Sequence, residues 1–452
     1  MKVKELKVLK RDGITIVDFN KDKIAKAIEK AMISCNQYEA GVPEDIADSV
    51  AEIIYERYND SNDTIINIED IQDIVEDQLI NLGYVSNDVI KEYITYRYRR
   101  NIERISESKL ADEAEKIIHI SDPNINHENA NLNGSSHSGK LSKLMSSYSK
   151  WYTNISLLSD EVKNAYESNR IHIHDLDWYI NGAHNCTFID IGRLLKKGFN
   201  TGNGSIRRAN SLRTAFNLTP IIFQSQQNSQ YGGVATNKID YDLEPFVNVS
   251  FTKIVKELVN SINILMDKND PDWEKYNILK QDIDSKPEMQ FSISNETFKK
   301  LYPKLYDIAY DKLEREAKDS AQAFIHNLNT MCSRVGSQVP FTSINYGTCT
   351  SKEGRLVIKA ILEATLDGLG NHETPIFPIQ IFKVKKGVTR YPGDPNYDLY
   401  QLAIKCFSKR MYPNFVNCDA SYVKDMYIEG NPDTEACTMG KLIIVNCSFK
   451  TL

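Results

Sequence analysis

No Cys-x-x-Cys pair occurs among the eight cysteines, which stand at 35, 186, 332, 349, 406, 418, 437 and 447. The usual zinc-ribbon and thioredoxin-like spacings are therefore missing, and no metal site is expected. Most of the thiols are expected to be reduced and packed as small apolar residues, leaving one or two for catalysis. Cys332, in "NTMCSRVGSQVPF", is read as a packed free thiol. No apolar run approaches the ~18–20 residues that span a bilayer, so no apolar membrane helix is expected. Basic residues are not in excess: 55 Lys and Arg face 61 Asp and Glu, for a net charge of −6. That balance argues against coating nucleic acid. Neither GxGxxG nor a Walker pattern is present, which removes the two best-attested glycine-rich phosphate loops. The opening "MKVKELKVLKRDG" has charges every few residues and no apolar core, so no secretory signal is expected and a cytoplasmic location follows.

What is present has the composition of a globular protein, 41% hydrophobic and 26% charged, and 452 residues suffice for two or three domains. Residues 1–100 form the first expected unit. "LKVLKRDGITIVDF" is two β-prone runs around Asp12-Gly13, a hairpin signal because that pair tolerates positive φ. Ile24, Ala27, Ile28 and Ala31 then keep helical spacing, and Ile46, Val50, Ile53 and Ile54 approximate it. Ile68, Ile71, Val75 and Leu79 form a third helical face with Asn67 as its cap, and "NDVIKEYITYRYRR" is the fourth. A hairpin laid over a small helical bundle is the expected architecture.

Residues 101–128 read as charged helix and polar linker. From 129 onward, strand-like runs ("CTFIDI", "VPFTSINYG", "PIFPIQIFKV") alternate with long amphipathic helices within 244–268 and 295–332. That alternation indicates an α/β domain with parallel strands.

Three stretches carry candidate chemistry. In "KRDG", Lys10 and Arg11 sit at the mouth of the hairpin, close to a helix starting near Asp22. Cations there, with free helix N–H groups, suit phosphate oxygens. Lys23 stands in the first helical turn, against the dipole preference, which has a reason if it faces an anion. From spacing alone a solvated basic turn is the commoner reading. In "RIHIHDLDWYINGAHNC", His172 and His174 alternate along an extended segment and point the same way, with Asp175 and Asp177 able to orient them. A metal lacks a third ligand there. Cys186 opens the apolar strand that follows, a suitable place for a reactive thiol, although a buried structural cysteine is the commoner case. "NTGNGS" (200–205) and "QYGG" (230–233) read as turns first.

Together these stretches resemble one family. "VLKRDG", "FNKDKIAKAI" and "YITYRYRR" are similar to the ATP-cone, the regulatory domain of ribonucleotide reductases. "NANLNGSSHSGKL", "IHIHDLDWY", "HNCTFIDI", "GFNTGNGSI", "QYGG", "SQVPFTSINYGT", "PIFPIQIF" and "NPDTEACTMG" follow in the order found in anaerobic (class III) ribonucleoside-triphosphate reductase. The resemblance implies an ATP-cone over 1–100 and, over 129–440, the first half of a ten-stranded α/β barrel. It implies reduction of ribonucleoside triphosphates to deoxyribonucleotides, with ATP and dATP as effectors and formate as reductant. It also implies a homodimer and a glycyl radical installed by an S-adenosylmethionine iron–sulfur activase. In the family that radical oxidises a cysteine to a thiyl, which takes the ribose 3′ hydrogen, and a second cysteine joins the reduction. Cys186 matches the second cysteine, and His172 and His174 match histidines bordering its pocket. Lys10, Arg11, Asp12, Gly13 and Lys23 match cone positions that hold nucleotide, and Met439 in the "TMG" tip belongs to the catalytic set.

In the family that tip continues with the thiyl cysteine and an arginine. Here Gly440 is followed by Lys441, and residues 441–452, "KLIIVNCSFKTL", match nothing in the family. The expectation is a chain truncated before the thiyl cysteine, without the family's zinc site and glycyl-radical segment. Alone it is expected to be inactive, with a poorly stable barrel portion. The apolar "LIIV" is read as an edge strand or a strand cut off in mid-fold. A non-catalytic nucleotide-binding modulator of a full-length reductase is the alternative. A cone-containing transcription regulator is the weaker third, for want of a DNA-reading element.

Overall fold

The computed structural model describes residues 6–10, 15–59, 65–99, 114–115, 117, 137–182, 184–333, 338–439 and 443–445. The chain divides into two compact units, Met1–Glu115 and Lys116–Leu452. No helix among the described residues is long and apolar enough to cross a membrane.

In the first unit, β1 (Lys7–Leu9) and β2 (Ile16–Asp18) pair antiparallel with Leu9 opposite Ile16. The connecting turn, with Arg11, Asp12 and Gly13, lies outside the described residues. Helices α1 (Asp22–Ser34) and α2 (Val42–Asn59) follow. Then come β3 (Ile65–Asn67), α3 (Ile68–Asn81) and α4 (residues 87–99). Apolar spacing selects the buried faces: Ile24 and Ile28, Ile46, Val50 and Ile54, and Ile71, Val75 and Leu79 all enter one core. Asn67 caps α3, accepting from the Glu69 N–H at 3.0 Å. The hairpin-over-bundle expectation needs one correction. β3 adds to β1 in parallel, making a three-stranded sheet of order β2-β1-β3. Arg97 of α4 ties that helix to α3 by reaching Glu69 (2.7 Å), Asp73 (2.9 Å) and Glu76 (2.6 Å).

The second unit begins with α5 (His137–Tyr152) and α6 (Asp160–Glu167). It continues through β4 (Thr187–Phe188), α7 (Ile191–Lys197), a two-stranded hairpin of β5 (Phe199–Asn200) and β6 (Ser205–Ile206), and α8 (Leu212–Gln227). The "NTGNGS" stretch is the turn of that hairpin. Next are β7 (Val234–Thr236), α9 (Ile239–Leu265), α10 (Trp273–Ser285), α11 (Glu296–Leu301) and α12 (Pro303–Thr330). β8 (Thr342–Tyr346), α13 (Lys352–Asp367), β9 (Ile379–Val384), α14 (Tyr397–Arg410) and β10 (Asn414–Asn417) complete the alternation.

The five strands β4, β7, β8, β9 and β10 are all parallel and lie in chain order across the sheet. Crossovers of one hand with no reversal of strand order carry every connecting helix to the same face. Val234, Ile344, Tyr346 and Phe382 point to that face and join the helical core, where Phe216 and Phe324 meet at 5.8 Å. Register assigns the other face. Asn345 is opposite Ile381, and Lys383 is opposite Val416. A closed ten-stranded barrel is not formed among the described residues. The run "LIIV" does not join this sheet. β12 (Ile443–Val445) pairs antiparallel with β11 (Cys437–Met439) in a separate two-stranded ribbon.

The start of α9 buries Asp242 against Lys238 (2.9 Å) and Thr236 (3.1 Å). A Cβ on Gly192 of α7 would lie 2.5 Å from the Asp242 Oδ1, so no larger residue fits there. Burial pushes the Asp242 carboxyl up to about 6 despite the pull of Lys238. Its native value exceeds its unfolded one, so the native state binds the extra proton between roughly pH 4 and 6. The contribution of this group to stability therefore falls as pH rises through that window. Asp242→Asn is expected to remove a slope worth up to about 3 kcal/mol. The check is the urea midpoint of wild type and variant across pH 4–7; parallel curves would reject the assignment.

Candidate active site

Cys186 is exposed and stands one residue before β4, at the N-terminal edge of the sheet. Its Sγ accepts from the Gly233 N–H at 3.3 Å, and its S–H donates to the Asn185 Oδ1 at 3.2 Å. Of the two readings of this thiol, the structure excludes the buried structural one.

Neighbouring glutamines determine where that N–H points. Gln230, fully buried, donates to the Gly233 carbonyl at 2.6 Å, and Gln227 donates to the Gly232 carbonyl at 2.5 Å. The Gly233 carbonyl also accepts from the Thr187 N–H at 3.1 Å, which locks the β4–β7 step. Gly232 is required by close approach. A Cβ there would sit 2.0 Å from the Asn185 carbonyl oxygen. The "QYGG" turn is thus the support under Cys186. Periodicity gives no hint of this, because the partners are backbone groups from a segment 47 residues away.

Beside the thiol, Tyr231 stacks on Trp178 with ring centroids 5.8 Å apart. Burial, then the nearby Asp175 and Cys186, push the Tyr231 hydroxyl up, so it keeps its proton at neutral pH. His172 and His174 are exposed, their rings edge to face at 6.3 Å. The Nδ1 of His174 pairs with the Asp175 carboxylate. Asp175 itself has a φ of +53°, an uncommon left-handed conformation for a non-glycine residue. Asp177 does not orient an imidazole; it accepts from the Ser146 hydroxyl of α5 at 2.6 Å. Cys332, expected to be packed, is exposed. Among the described residues no group of acidic, His and Cys side chains is arranged to hold a metal. Met439 ends β11 opposite Ile443.

In the first unit, Lys10 and Lys23 line one cavity of about 180 Å³. Its polar rim includes Asp18 and Asn20, and its apolar wall includes Val17, Phe19, Ile71 and Tyr93. The α1 N-terminus beside it begins at Lys21, whose side chain makes no cap. The Asn20 Oδ1 accepts from the Asp22 N–H at 2.8 Å and closes that helix end, so the binding capacity lies in the side chains: two ammonium groups over an apolar slot can take an anion attached to a flat apolar body.

The family model described as "Anaerobic ribonucleoside-triphosphate reductase" matches residues 128–441. The chain belongs to this family. A second model, "ATP cone domain", matches residues 6–102 and so contains the Lys10–Lys23 cavity. The anaerobic ribonucleoside-triphosphate reductase of Haemophilus influenzae is 33% identical over 414 residues, 91% of this chain and 52% of that protein. The reductase of Escherichia coli K12 is 32% identical over 91% of this chain and 51% of its own length. The chain thus spans about half the length of the curated reductases it matches. A crystal structure of the anaerobic ribonucleotide reductase from Thermotoga maritima, in complex with dATP and CTP, aligns with a TM-score of 0.42 at 14% identity. That alignment covers 63% of this chain and 43% of the Thermotoga chain.

Proposed function

We propose that this chain carries the effector-binding and substrate-side part of an anaerobic ribonucleoside-triphosphate reductase. In this reading residues 1–100 are an ATP-cone, 101–128 a linker and 129–440 the N-terminal part of the catalytic domain. The observation that carries the reading is the exposed Cys186 thiol, held by the Gly233 N–H, inside the region that matches the family.

Each residue has a definite task. Lys10, Arg11 and Lys23 bind the phosphates of ATP or dATP, Asp12 and Gly13 complete the nucleotide-binding set, and the apolar wall takes the base. Cys186 holds a hydrogen on Sγ that it can deliver to a ribose carbon without building net charge, which suits a water-poor pocket. Tyr231, stacked on Trp178, stands beside the thiol. His172 and His174 hydrogen-bond the reacting groups, and Met439, at the end of β11, borders them. A glycyl radical installed by an S-adenosylmethionine activase would oxidise the family's thiyl cysteine, and that thiyl would take the ribose 3′ hydrogen. Formate supplies two electrons and leaves as carbon dioxide while the 2′ hydroxyl leaves as water. The working form is a homodimer in the cytoplasm, and neither membrane nor nucleic acid is a partner.

Two measurements test this. Lys10→Met and Lys23→Met are each expected to weaken ATP or dATP binding about 10- to 100-fold, the worth of one lost charge-assisted hydrogen bond. Isothermal titration reads this, and unchanged affinity in both variants rejects the cone assignment. For catalysis, a reductase joining this chain to the C-terminal region of the family is activated anaerobically and supplied with CTP, ATP and formate. Cys186→Ser is expected to abolish dCTP formation while leaving nucleotide binding intact. Turnover by that variant sinks the role given to Cys186. Nucleotide binding with no turnover even in the wild type would leave the modulator reading.

A further inference from the structure

The sheet face opposite the helices is occupied by residues 432–439, held by side chains of β8, of β9 and of Asn237, the residue after β7. Asn345, fully buried on β8, is the first anchor. Its Nδ2 donates to the Thr438 carbonyl at 3.0 Å and its Oδ1 accepts from the Thr438 N–H at 3.0 Å. The same Nδ2 also donates to the Thr236 carbonyl of β7 at 3.0 Å, so the amide cannot flip without loss. Antiparallel strands turn the polar groups of successive residues to alternate edges. β12 takes one edge of β11, and the carboxamide of Asn345 serves as a one-residue strand on the other. A slip by one residue would break both bonds to Thr438.

The second anchor is ionic. Glu435, 3% exposed, accepts from Lys383 (3.2 Å), from Lys385 (3.0 Å) and from the Thr348 hydroxyl (2.6 Å). Lys383, wholly buried on β9, also donates to the Asn237 Oδ1 at 3.0 Å. Asn237, just past β7, passes the hold back to the loop by donating to the Asp433 carbonyl at 3.2 Å. A buried ion pair is seldom more stabilising than a well-packed apolar substitute, so its best-attested use is to specify one arrangement.

We propose that Asn345, with the Lys383–Glu435 pair, is the positioning device that sets the register of β11 against the sheet. It thereby fixes the place of Met439. The proposal deepens the catalytic reading, and rests on it only for the use to which a fixed Met439 is put. The anchoring itself is tested without turnover.

Two fully buried thiols serve as reporters in the full chain. Cys437 neighbours Thr438 on β11, and Cys406 sits in the helical core. Asn345→Ala is expected to raise the native-state labelling rate of Cys437 by about 10- to 30-fold, as two lost hydrogen bonds imply, with Cys406 unchanged. A Cys437 rate that stays constant, or rises in step with Cys406, overturns the proposal. Hydrogen exchange of the unmutated chain guards against a variant that fails to fold. The Thr438 amide should be protected to the level of the β8 amides, and rapid exchange there is equally fatal.

Discussion

Glu435→Gln is expected to destabilise the second unit by about 3–5 kcal/mol, the usual result of stranding a buried charge. The substitution preserves shape and removes charge, leaving Lys383 in a dry site with neutral acceptors such as the Asn237 Oδ1 and no hydrogen-bonded carboxylate. Lys383→Met should cost less, toward the lower end of that range, because Glu435 keeps Lys385 and the Thr348 hydroxyl. The double variant removes both charges and is expected to recover most of the loss, giving a coupling of about 2 kcal/mol or more. Urea unfolding of the four proteins measures this, and simple additivity would mean that the two residues do not act as a pair. The pH dependence has a sign opposite to that of Asp242. Burial opposes ionisation of Glu435, but Lys383, Thr348 and Lys385 outweigh it and hold the carboxyl below its ordinary value. Stability from this group is present above the unfolded carboxylate range and is lost as pH falls through the lower folded value.

Gly232→Ala should be the most damaging single change near the thiol. The new Cβ would meet the Asn185 carbonyl oxygen at 2.0 Å and its Oδ1 at 2.3 Å. Backbone cannot swing aside as a flexible side chain can, so the 230–233 turn or the Asn185–Cys186 step must shift. Either shift breaks the Gly233 N–H bond to Sγ and disturbs the carbonyl hold of Gln227. Overpacking of this kind costs about 1–3 kcal/mol. The larger effect is on chemistry, since a displacement of about 1 Å at a reacting group can lower turnover about 100-fold. dCTP formation by the joined reductase, and the alkylation rate of Cys186 relative to exposed Cys332, should both change in Gly232→Ala. Gly204→Ala is the matched control, because a Cβ there has nothing within 4 Å. Equal behaviour of the two variants would remove the turn from any part in positioning the thiol.

The helices of the first unit were legible before any coordinates, and so were the runs that became β4, β8 and β9. Their signals are local. An apolar stripe at helical spacing, or an Asn67 cap bonded two residues on, is complete within one segment. Lys10, Lys23 and Cys186 were legible in the same way, as residue types placed at the ends of such elements. The strands β3, β7 and β10 were not. They have three or four residues each and are strands only because distant partners accept their hydrogen bonds. Nothing near Asn345 foretells that its carboxamide will bond Thr438, 93 positions later, nor near Lys383 that Glu435 will neutralise it across 52. A polar residue in an apolar strand must find a partner once buried, yet which partner it finds is settled by how the sheet and the returning chain pack. Local bonding wrote the elements into the chain; long-range satisfaction of buried polar groups, available only in the packed molecule, built the surroundings of the thiol and of β11.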